Sequence, residues 1–408
     1  MAIFNSFDIL VPKPEYMDLW PVVACDQFTS QPEYWQAVAS DVGGRASALN
    51  CILPEVELKD CSPERFDRIR ASMAEYLNSD IFSCFENSFI YVERTLLDGS
   101  LRRGLVGTID LEDYDFHADA VSAIRATERT VEERIPPRMQ VRRGAPMELS
   151  HVILLCDDEQ ECIIEPLQAM KAELKKVYDT ELLQGGGNIR GWLVDGEAAR
   201  RLEENIELYC KNKAGQYGDV PPMLFAVGDG NHSLATAKSC YEELKAAGAE
   251  AEVLARARFA MVELENIRDS VQCFEPIHRL ISDVDVKGLL AYLEEHCCAE
   301  SGYEVRWMSG DEKGCISLDR EKGLLPVAIL QTALDEYLAS NPGEIDYIHG
   351  MDALCGLSAK PDSIGFVLES VPKADFFMGI ARDGVLPRKT FSMGEAQEKR
   401  YYLEARAL

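Results

Sequence analysis

One short stretch of the chain carries the residue types best suited to chemistry: MLFAVGDGNHSLATAK, residues 223–238. An apolar segment predicts a strand that runs into Gly228, Asp229 and Gly230, and a helix is predicted to begin near His232. Glycines let the backbone turn sharply and approach a ligand closely. The first N–H groups of a helix have no intrahelical partner and lie at the positive end of the helix dipole. This turn therefore favours a bound anion, phosphate above all.

Two side chains extend the chemistry of this turn. Asp229 is able to hold a metal ion or orient a hydroxyl group, and His232 is able to donate a hydrogen bond to a phosphate oxygen. The alternative is a capped helix behind a glycine-rich turn, with the histidine bonded to the backbone, because short glycine motifs match many sequences by chance.

The block Gly228–Ser233 resembles the D-G-H-H-R signature of the ParB/sulfiredoxin superfamily, in the form carried by free serine kinases. It is also similar to the bacterial family known as domain of unknown function 1015. Asn231 stands where the signature has its first histidine, His232 keeps the second, and Ser233 replaces the arginine. That replacement removes a bidentate phosphate contact, which Lys389 or an arginine elsewhere would have to supply.

Three further segments support the resemblance in the same order along the chain. Gln31-Pro32-Glu33 follows the first strand, where such kinases carry a catalytic glutamate. Pro276-Ile277-His278-Arg279 resembles the bacterial family's P-T-H-R, and Pro387-Arg388-Lys389-Thr390 resembles its P-x-K-S/T. The match to the bacterial family covers nearly the whole chain, whereas the match to the kinases is confined to three short motifs.

The resemblance implies a small-molecule phosphotransferase, a free L-serine kinase that forms O-phosphoserine from ATP or ADP with Mg²⁺. In that function Glu33 is the general base, Asp229 and His232 are catalytic, and Asp229 is the protein contact of the metal. His278 and Arg279 are expected to bind substrate; the alternative is a structural role, because the pair borders a predicted strand end. The residues expected to hold the nucleotide phosphates are Gly228, Gly230, Asn231, Ser233, Arg388, Lys389 and Thr390. The alternative is a non-catalytic, nucleotide-binding regulatory module of ParB-like type.

Glu33 and two basic segments have plainer interpretations as well. Glu33 suits a base beside aromatic residues, but it also suits a solvated position early in a predicted helix, Pro32–Val38, where acids favour the dipole. Arg125–Arg143 holds six arginines and three glutamates, and Arg382–Leu408 holds six basic residues and four acids. Both segments suit either anionic ligands or pairing with surface acids. A helix over Ala118–Glu133, ending before the Pro136–Pro137 pair, would place Arg125 and Arg129 on one face.

The elements that position these residues follow from apolar spacing and turn residues. The predicted strands are Pro21–Cys25, Ser88–Thr95, Leu101–Asp110, His151–Cys156, Met223–Val227, Phe259–Leu264, Ile364–Val367 and Phe376–Ile380. The other predicted helices are Ser62–Leu77, Ile163–Tyr178, Ala198–Cys210, Val284–His296 and Ile329–Ala339, and Gly185–Gly187 is predicted to be a hairpin turn.

Strands and helices alternate without a regular rhythm, so the predicted class is α+β, or mixed α/β. The resemblance implies a ParB/sulfiredoxin-like core with large insertions and a C-terminal α/β extension. The core is predicted over residues 1–270, with an α/β insertion near 80–195. Residues 271–408 are expected to contribute to the same site.

The amino-acid composition disfavours several classes of function. The 408 residues carry 42 Lys and Arg against 70 Asp and Glu, for a net charge of −28. Such a surface disfavours nucleic-acid backbones and anionic membranes. Thirteen cysteines at irregular spacing indicate reduced thiols, and together with an N-terminus unlike a signal peptide they predict a cytoplasmic protein. The expected partner is a free amino acid, serine first; the sequence leaves the oligomeric state open. A sulfiredoxin-like reductase is excluded because Gly228–Ser233 contains no cysteine.

Overall fold

Mixed α/β structure runs throughout the chain in the computed structural model, which describes residues 3–271, 275–387 and 389–408. Its helices are α1 (Pro32–Val42), α2 (Pro63–Asn78), α3 (Ile135–Arg142), α4 (Glu165–Met170), α5 (Gly196–Ala214), α6 (Asn231–Ala246), α7 (Ala251–Ala257), α8 (Val286–Cys297), α9 (Pro326–Leu338), α10 (Met351–Ser358) and α11 (Lys373–Asp383).

The strands of the first half are β1 (Phe4–Asn5), β2 (Phe7–Pro12), β3 (Val22–Val23), β4 (Phe82–Thr95), β5 (Leu101–Asp110), β6 (Tyr114–Asp115), β7 (Ile124–Ala126), β8 (Met147–Leu149), β9 (Ile153–Cys156), β10 (Lys175–Glu181) and β11 (Asn188–Val194). Those of the second half are β12 (Phe225–Asp229), β13 (Phe259–Asn266), β14 (Glu275–Ser282), β15 (Cys298–Ser309), β16 (Glu312–Leu318), β17 (Glu344–His349), β18 (Ile364–Val367), β19 (Phe391–Ser392), β20 (Tyr401–Tyr402) and β21 (Ala405–Ala407).

The chain divides into two compact units. Unit 1 comprises Met1–Ala126, Thr130–Gln272 and Glu395–Leu408, and unit 2 comprises Thr127–Arg129 and Cys273–Gly394. The predicted division after residue 270 stays a prediction. The last segment of the chain groups with unit 1, because β21 pairs with β2 and β8 and β20 pairs with β3.

Unit 1 is built on one mixed sheet with the order β6-β7-β12-β9-β13-β5-β4-β2-β21-β8. The pairs β12–β7 and β13–β9 are parallel, whereas β12–β9 and β4–β5 are antiparallel. Successive residues of β4 serve opposite faces, as strand geometry requires. Ile90 and Val92 are buried in the hydrophobic core on one face, and Phe89 and Tyr91 in the core on the other.

Unit 2 has its own smaller sheet, with the order β16-β15-β18-β14-β17 and with β19 paired to β14. The predicted strand Ile364–Val367 is confirmed as β18, whereas the strand predicted at Phe376–Ile380 is wrong. That segment lies inside α11, where Phe376, Phe377 and Ile380 are buried at helical spacing. No helix in the described part of the chain is long and apolar enough to cross a membrane.

Two other helix predictions are corrected by the structure. The helix predicted over Ala118–Glu133 is absent, and β7 occupies part of that range. A helix begins beyond it at Ile135, with the proline pair in its first turn, where a missing N–H costs nothing. Arg125 and Arg129 therefore share no helix face. Arg125 is buried in β7 and donates to the carbonyls of Ser122 and Pro221.

The helix predicted over Ile163–Tyr178 is shorter than expected. It stops at Met170, and Lys175–Glu181 forms a strand, β10, paired with β11. The turn predicted at Gly185–Gly187 joins these two strands, as expected. Gly187 has a φ of +85°, and a Cβ there would lie 2.3 Å from Thr95 O. The hairpin with β11 thus overrides the local helical pattern.

Candidate functional site: the start of α6

The predicted strand, turn and helix around Gly228 are confirmed, since β12 ends at Asp229 and α6 begins at Asn231. Gly230 lies between them with a φ of +80°, which L side chains rarely adopt. A Cβ there would lie 3.0 Å from Val152 Cα, so glycine lets this turn pack closely against its neighbour. The first bond of the helix runs from Leu234 N–H to Gly230 O, 3.0 Å apart. The N–H groups of residues 231–233 precede that bond and have no intrahelical acceptor.

Two oxygen atoms that flank the turn have no hydrogen-bond partner among the described residues. They are Asp229 Oδ2 and Asn231 Oδ1, and both atoms are buried. Most buried polar atoms in folded proteins have a partner, so a pair of such oxygens next to a helix N-terminus indicates room for a ligand. Oxygen atoms of this kind are suited to a hard cation or to a hydroxyl donor.

His232 lies in the first turn of α6 and is held in its neutral form. Its Nε2 accepts a hydrogen bond from the backbone N–H of Val131, 3.2 Å away. Burial, together with the positive charges of Arg138 and Arg134, lowers the pKa of His232 to about 4. A neutral ring that accepts at Nε2 carries its proton on Nδ1. His232 is thus bonded to the backbone through one nitrogen and keeps a donor on the other.

Lys399 brings a positive charge to the same turn. Its Nζ lies 3.7 Å from Asp229 Oδ2, and the two side chains are 13% and 18% exposed. The backbone around Lys399 is fixed by buried arginines. Arg94 donates to the carbonyls of Gln397 and Lys399, and Arg102 donates to that of Glu398 at 2.6 Å.

A cavity of about 120 Å³ lies beside the start of α6 within unit 1. Its walls carry several polar groups: Asp26, Glu55, Arg138, Arg142, Glu148, His151, His232, Ser233 and Tyr402. Arg138 pairs with Glu55 at 2.7 Å, and Arg142 pairs with Glu148 at the same distance. These arginines of the basic segment are therefore ion-paired, as the plainer interpretation of that segment expected.

Asp26, His151 and Tyr402 form a chain of polar contacts in the cavity wall. His151 Nδ1 lies 2.6 Å from Tyr402 Oη, and His151 Nε2 lies 3.7 Å from Asp26 Oδ2. Burial raises the pKa of Tyr402, so its hydroxyl keeps its proton beside His151 Nδ1. Burial opposes ionisation of Asp26, but the interaction with His151 and the charge of Lys399 outweigh it and lower the pKa of Asp26. Asp26 is thus a carboxylate facing the cavity.

Glu33 lies in the first turn of α1 with an exposed side chain. Its neighbours are anchored: Tyr34 stacks on Phe28 with ring centroids 3.7 Å apart, and Trp35 Nε1 donates to Gln27 O at 3.2 Å. The loop from Asp26 to α1 is therefore held firmly, and Glu33 is presented to solvent. Its assignment as the general base stays a prediction.

The remaining predicted residues lie in unit 2. Arg279 is fully buried and donates to Gln331 Oε1 at 2.6 Å and to Lys389 O at 3.0 Å. His278 is buried and accepts from Leu368 N–H at 3.2 Å. Arg279 thus supports the backbone of the exposed Lys389.

The Thr390 hydroxyl donates to Pro387 O at 2.6 Å, and Thr390 N–H donates to Glu128 Oε1 at 3.3 Å. The structure accordingly brings together Arg279, Lys389 and Thr390 inside unit 2, as it brings together Asp229–Ser233 inside unit 1. Arg388, also predicted to bind phosphate, lies outside the described residues. Phosphate binding by the unit 2 residues stays a prediction.

Sequence reasoning missed Asp26, His151, Lys399 and Tyr402. Asp26 lies closer to the end of the strand β3 than Glu33 does. Its position just after a strand, which drew attention to Glu33, could also have identified Asp26. Lys399 lies in the C-terminal basic segment, but only its long-range contact with Asp229 distinguishes it from the other cations there. His151 and Tyr402 are 251 residues apart, and no local signal links them.

Several solved structures share a distant similarity with this chain. A free serine kinase in complex with AMP is 13% identical, with a TM-score of 0.36 over 72% of this chain and 86% of that chain. A conserved hypothetical protein from Pyrococcus furiosus is 13% identical, with a TM-score of 0.33 over 74% of this chain and 94% of that one. SbnI from Staphylococcus aureus, truncated at its C-terminus, is 7% identical, with a TM-score of 0.36 over 73% and 85% of the two chains.

Comparison with curated proteins gives no match. The family model described as "Protein of unknown function (DUF1015)" matches residues 6–403. That range covers nearly all of the chain, including the start of α6 and the motifs near Arg279 and Lys389, as the sequence resemblance predicted. The chain therefore belongs to the DUF1015 family.

Proposed function

We propose that this protein is a small-molecule phosphotransferase, which moves a phosphoryl group from ATP or ADP to the hydroxyl of a free amino acid, serine first. The observation that carries the proposal is the start of α6. There, a glycine turn, helical N–H groups, Lys399 and two buried oxygens without hydrogen-bond partners among the described residues come together, and His232 and Ser233 of the same turn line a cavity with apolar and polar walls. Phosphoryl transfer depends mainly on positioning and charge neutralisation, which these groups supply.

The transferring phosphate would lie against the N–H groups of residues 231–233, with the Nδ1–H of His232 as a further donor. The acceptor hydroxyl oxygen attacks the terminal phosphorus, and the bond from that phosphorus to the leaving nucleotide oxygen breaks. The hydroxyl proton passes to a carboxylate. The nucleotide leaves one phosphate shorter, and the amino acid leaves as a phosphomonoester.

Mg²⁺ would be held by Asp229 Oδ2 together with the nucleotide phosphates, and Asn231 Oδ1 offers a second oxygen. Mg²⁺ is commonly bound by one or two carboxylates plus substrate phosphates, so this pair of oxygens fits it. When bound, the ion would neutralise charge on the phosphates. Among the described residues there is no cluster of three or more His, Cys, Asp or Glu side chains that would hold a metal without a nucleotide.

Two carboxylates compete for the role of general base. Glu33 is the base that the family resemblance implies, and its exposed position leaves it open to a substrate from solvent. Asp26 lines the cavity with His232 and Ser233 and is held ionised beside His151. We take Glu33 as the base, with Asp26 as the residue against which it must be tested.

The test is mass spectrometry of reactions that contain Mg²⁺, ATP or ADP, and a pool of L-amino acids. We expect a phosphorylated amino acid with the wild type, with serine as the acceptor. Because a general base typically contributes about 10²- to 10⁴-fold, Glu33→Gln should lose most of the rate and still bind nucleotide. The exposed Glu204→Gln should keep the full rate.

The same assay distinguishes the alternatives. Loss of activity in Asp26→Asn but not in Glu33→Gln would move the role of base to Asp26, provided that thermal unfolding shows the Asp26 variant folded. Nucleotide binding with no phosphorylated product for any amino acid would contradict the proposal and favour a nucleotide-binding regulatory module.

A further inference from the structure

The anion site at α6 lacks the cation that its signature normally provides. Ser233 stands at the position of the arginine, and a serine hydroxyl cannot neutralise phosphate charge. A helix N-terminus alone supplies a partial charge of about half an elementary unit. A site that binds a nucleotide phosphate at this turn therefore needs a cation from another part of the chain.

Lys399 meets the requirements for that cation within unit 1. Its ammonium lies 3.7 Å from Asp229 Oδ2, beyond hydrogen-bonding distance, and this is its one ion pair among the described residues. Its side chain is only 13% exposed. Removing an ammonium from water without hydrogen bonds in return is unfavourable. Among the described residues the Lys399 ammonium has no hydrogen-bond acceptor and the neighbouring Asp229 Oδ2 has no hydrogen-bond donor, which indicates that a ligand completes the contacts of the lysine.

The surroundings of Lys399 fix it in place. Two buried arginines, Arg94 and Arg102, donate to three successive carbonyls, those of residues 397–399. On the C-terminal side, Arg400 is fully buried and pairs with Glu263 at 2.7 Å and with Glu404 at 2.8 Å. Arginine donors directed at backbone carbonyls hold the chain without constraining the lysine side chain. The backbone that carries Lys399 is thus held in advance, and binding a phosphate would require movement of the lysine side chain alone.

We propose that Lys399 binds the nucleotide phosphate at the start of α6, in place of the arginine missing from the signature. The inference rests on the proposed function and deepens it, because it identifies the cation of that site. It also assigns the role of phosphate cation, for which the sequence singled out Lys389, to a lysine that the sequence did not single out. Lys389 lies in an exposed loop of unit 2, whereas Lys399 lies against the turn that carries Asp229.

The test is calorimetric titration of the full-length protein with ADP in the presence of Mg²⁺. Lys399→Met removes the charge and keeps a side chain of similar length, Lys399→Arg keeps the charge, and the exposed Lys211→Met serves as the control. We expect Lys399→Met to bind ADP about 10- to 100-fold more weakly, the cost of one charge-assisted contact. Lys399→Arg and Lys211→Met should stay within a few-fold of the wild type. Thermal unfolding checks that each variant is folded, and Lys399→Gln is the second neutral variant.

The outcomes separate the two proposals. If the wild type binds ADP and both neutral variants bind it equally well, the inference about Lys399 is overturned, while the proposed function stands. If the wild type does not bind ADP or ATP, the proposed function fails and the role of Lys399 fails with it. If Lys389→Met weakens binding and Lys399→Met does not, the phosphate cation belongs to unit 2.

Discussion

At the scale of single residues, His232 shows how packing sets the charge of a group at the site. The ring is half-buried, accepts from Val131 N–H and lies near Arg138 and Arg134, so protonation is disfavoured in the folded protein. A neutral histidine suits a phosphate site as a hydrogen-bond donor through Nδ1. Its neutrality also has a consequence for stability that can be measured without any ligand.

We expect His232→Gln to reduce the loss of stability in mild acid. The pKa of His232 is about 4 in the folded protein against 6.5 for a free histidine. Below pH 6.5 the histidine takes up a proton in the unfolded chain, whereas in the folded protein it stays neutral down to about pH 4. The free energy of unfolding therefore falls as the pH drops through this window. Glutamine does not titrate and keeps an acceptor for Val131 N–H.

The measurement is urea unfolding of wild type and His232→Gln at a series of pH values across that window. The free energy of unfolding should fall more steeply with decreasing pH in the wild type. The exposed His349→Gln is the control variant. If the free energy of unfolding changed with pH equally in wild type and His232→Gln, His232 would have the same pKa in the folded and unfolded states. That result would contradict the lowered pKa of His232.

At the scale of elements, the β12–Gly230–α6 unit was predictable because its signals are local. An apolar run, two glycines and the start of an amphipathic pattern lie within a few residues of each other. The prediction of a helix over Ala118–Glu133 was wrong because tertiary contacts outweigh the local pattern: Ile124–Ala126 pairs in parallel with β12. The helix predicted over Ile163–Tyr178 was too long for a similar reason, since the end of that segment belongs to β10, which pairs with β11. The contact of Asp26 with His151 and that of Lys399 with Asp229 join distant parts of the chain, which one sequence does not show.

Substituting Gly230 tests the turn as an element. Gly230→Ala should lower stability by about 1–3 kcal/mol, because alanine is strained at positive φ and its Cβ would crowd Val152. Gly248 provides a matched control, since its φ is +68° and a Cβ there would meet no atom within 4 Å. Gly248→Ala therefore reports backbone strain alone.

Chemical unfolding and ADP titration of both variants measure the two effects. We expect Gly230→Ala to be the less stable variant and to bind ADP more weakly, because α6 must shift away from Val152. Equal stability and unchanged ADP binding in the two alanine variants would mean that close packing of this turn is unimportant.

At the scale of the whole molecule, the net charge of −28 is the dominant feature. Two of the positive charges at the site are neutralised by ion pairs, since Arg138 pairs with Glu55 and Arg142 with Glu148. The mixed α/β class was predictable from the alternation of apolar segments, whereas the return of Glu395–Leu408 to unit 1 was not. That return places a lysine from the end of the chain beside a turn near its middle.

Self-repulsion of this charge should make the protein more stable in salt. The Debye length falls from about 30 Å at about 10 mM salt to about 8 Å at about 150 mM, so repulsion between surface acids is screened. We expect the melting temperature at neutral pH to rise by a few degrees over this range of sodium chloride. The rise should shrink near pH 5, close to the isoelectric point of about 4.6. A melting temperature that falls with salt at neutral pH would indicate that attractive surface pairs dominate.

The central claim is that the start of α6 supports phosphoryl transfer, and phosphorus NMR tests it most directly. Purified protein is incubated with Mg²⁺, ATP or ADP, and L-serine, and parallel samples omit serine or contain Lys399→Met. The account predicts a new phosphomonoester resonance that requires serine, grows as the terminal phosphate of the nucleotide is consumed, and is strongly reduced in the variant. A nucleotide spectrum that stays unchanged with serine and with every other amino acid would contradict it.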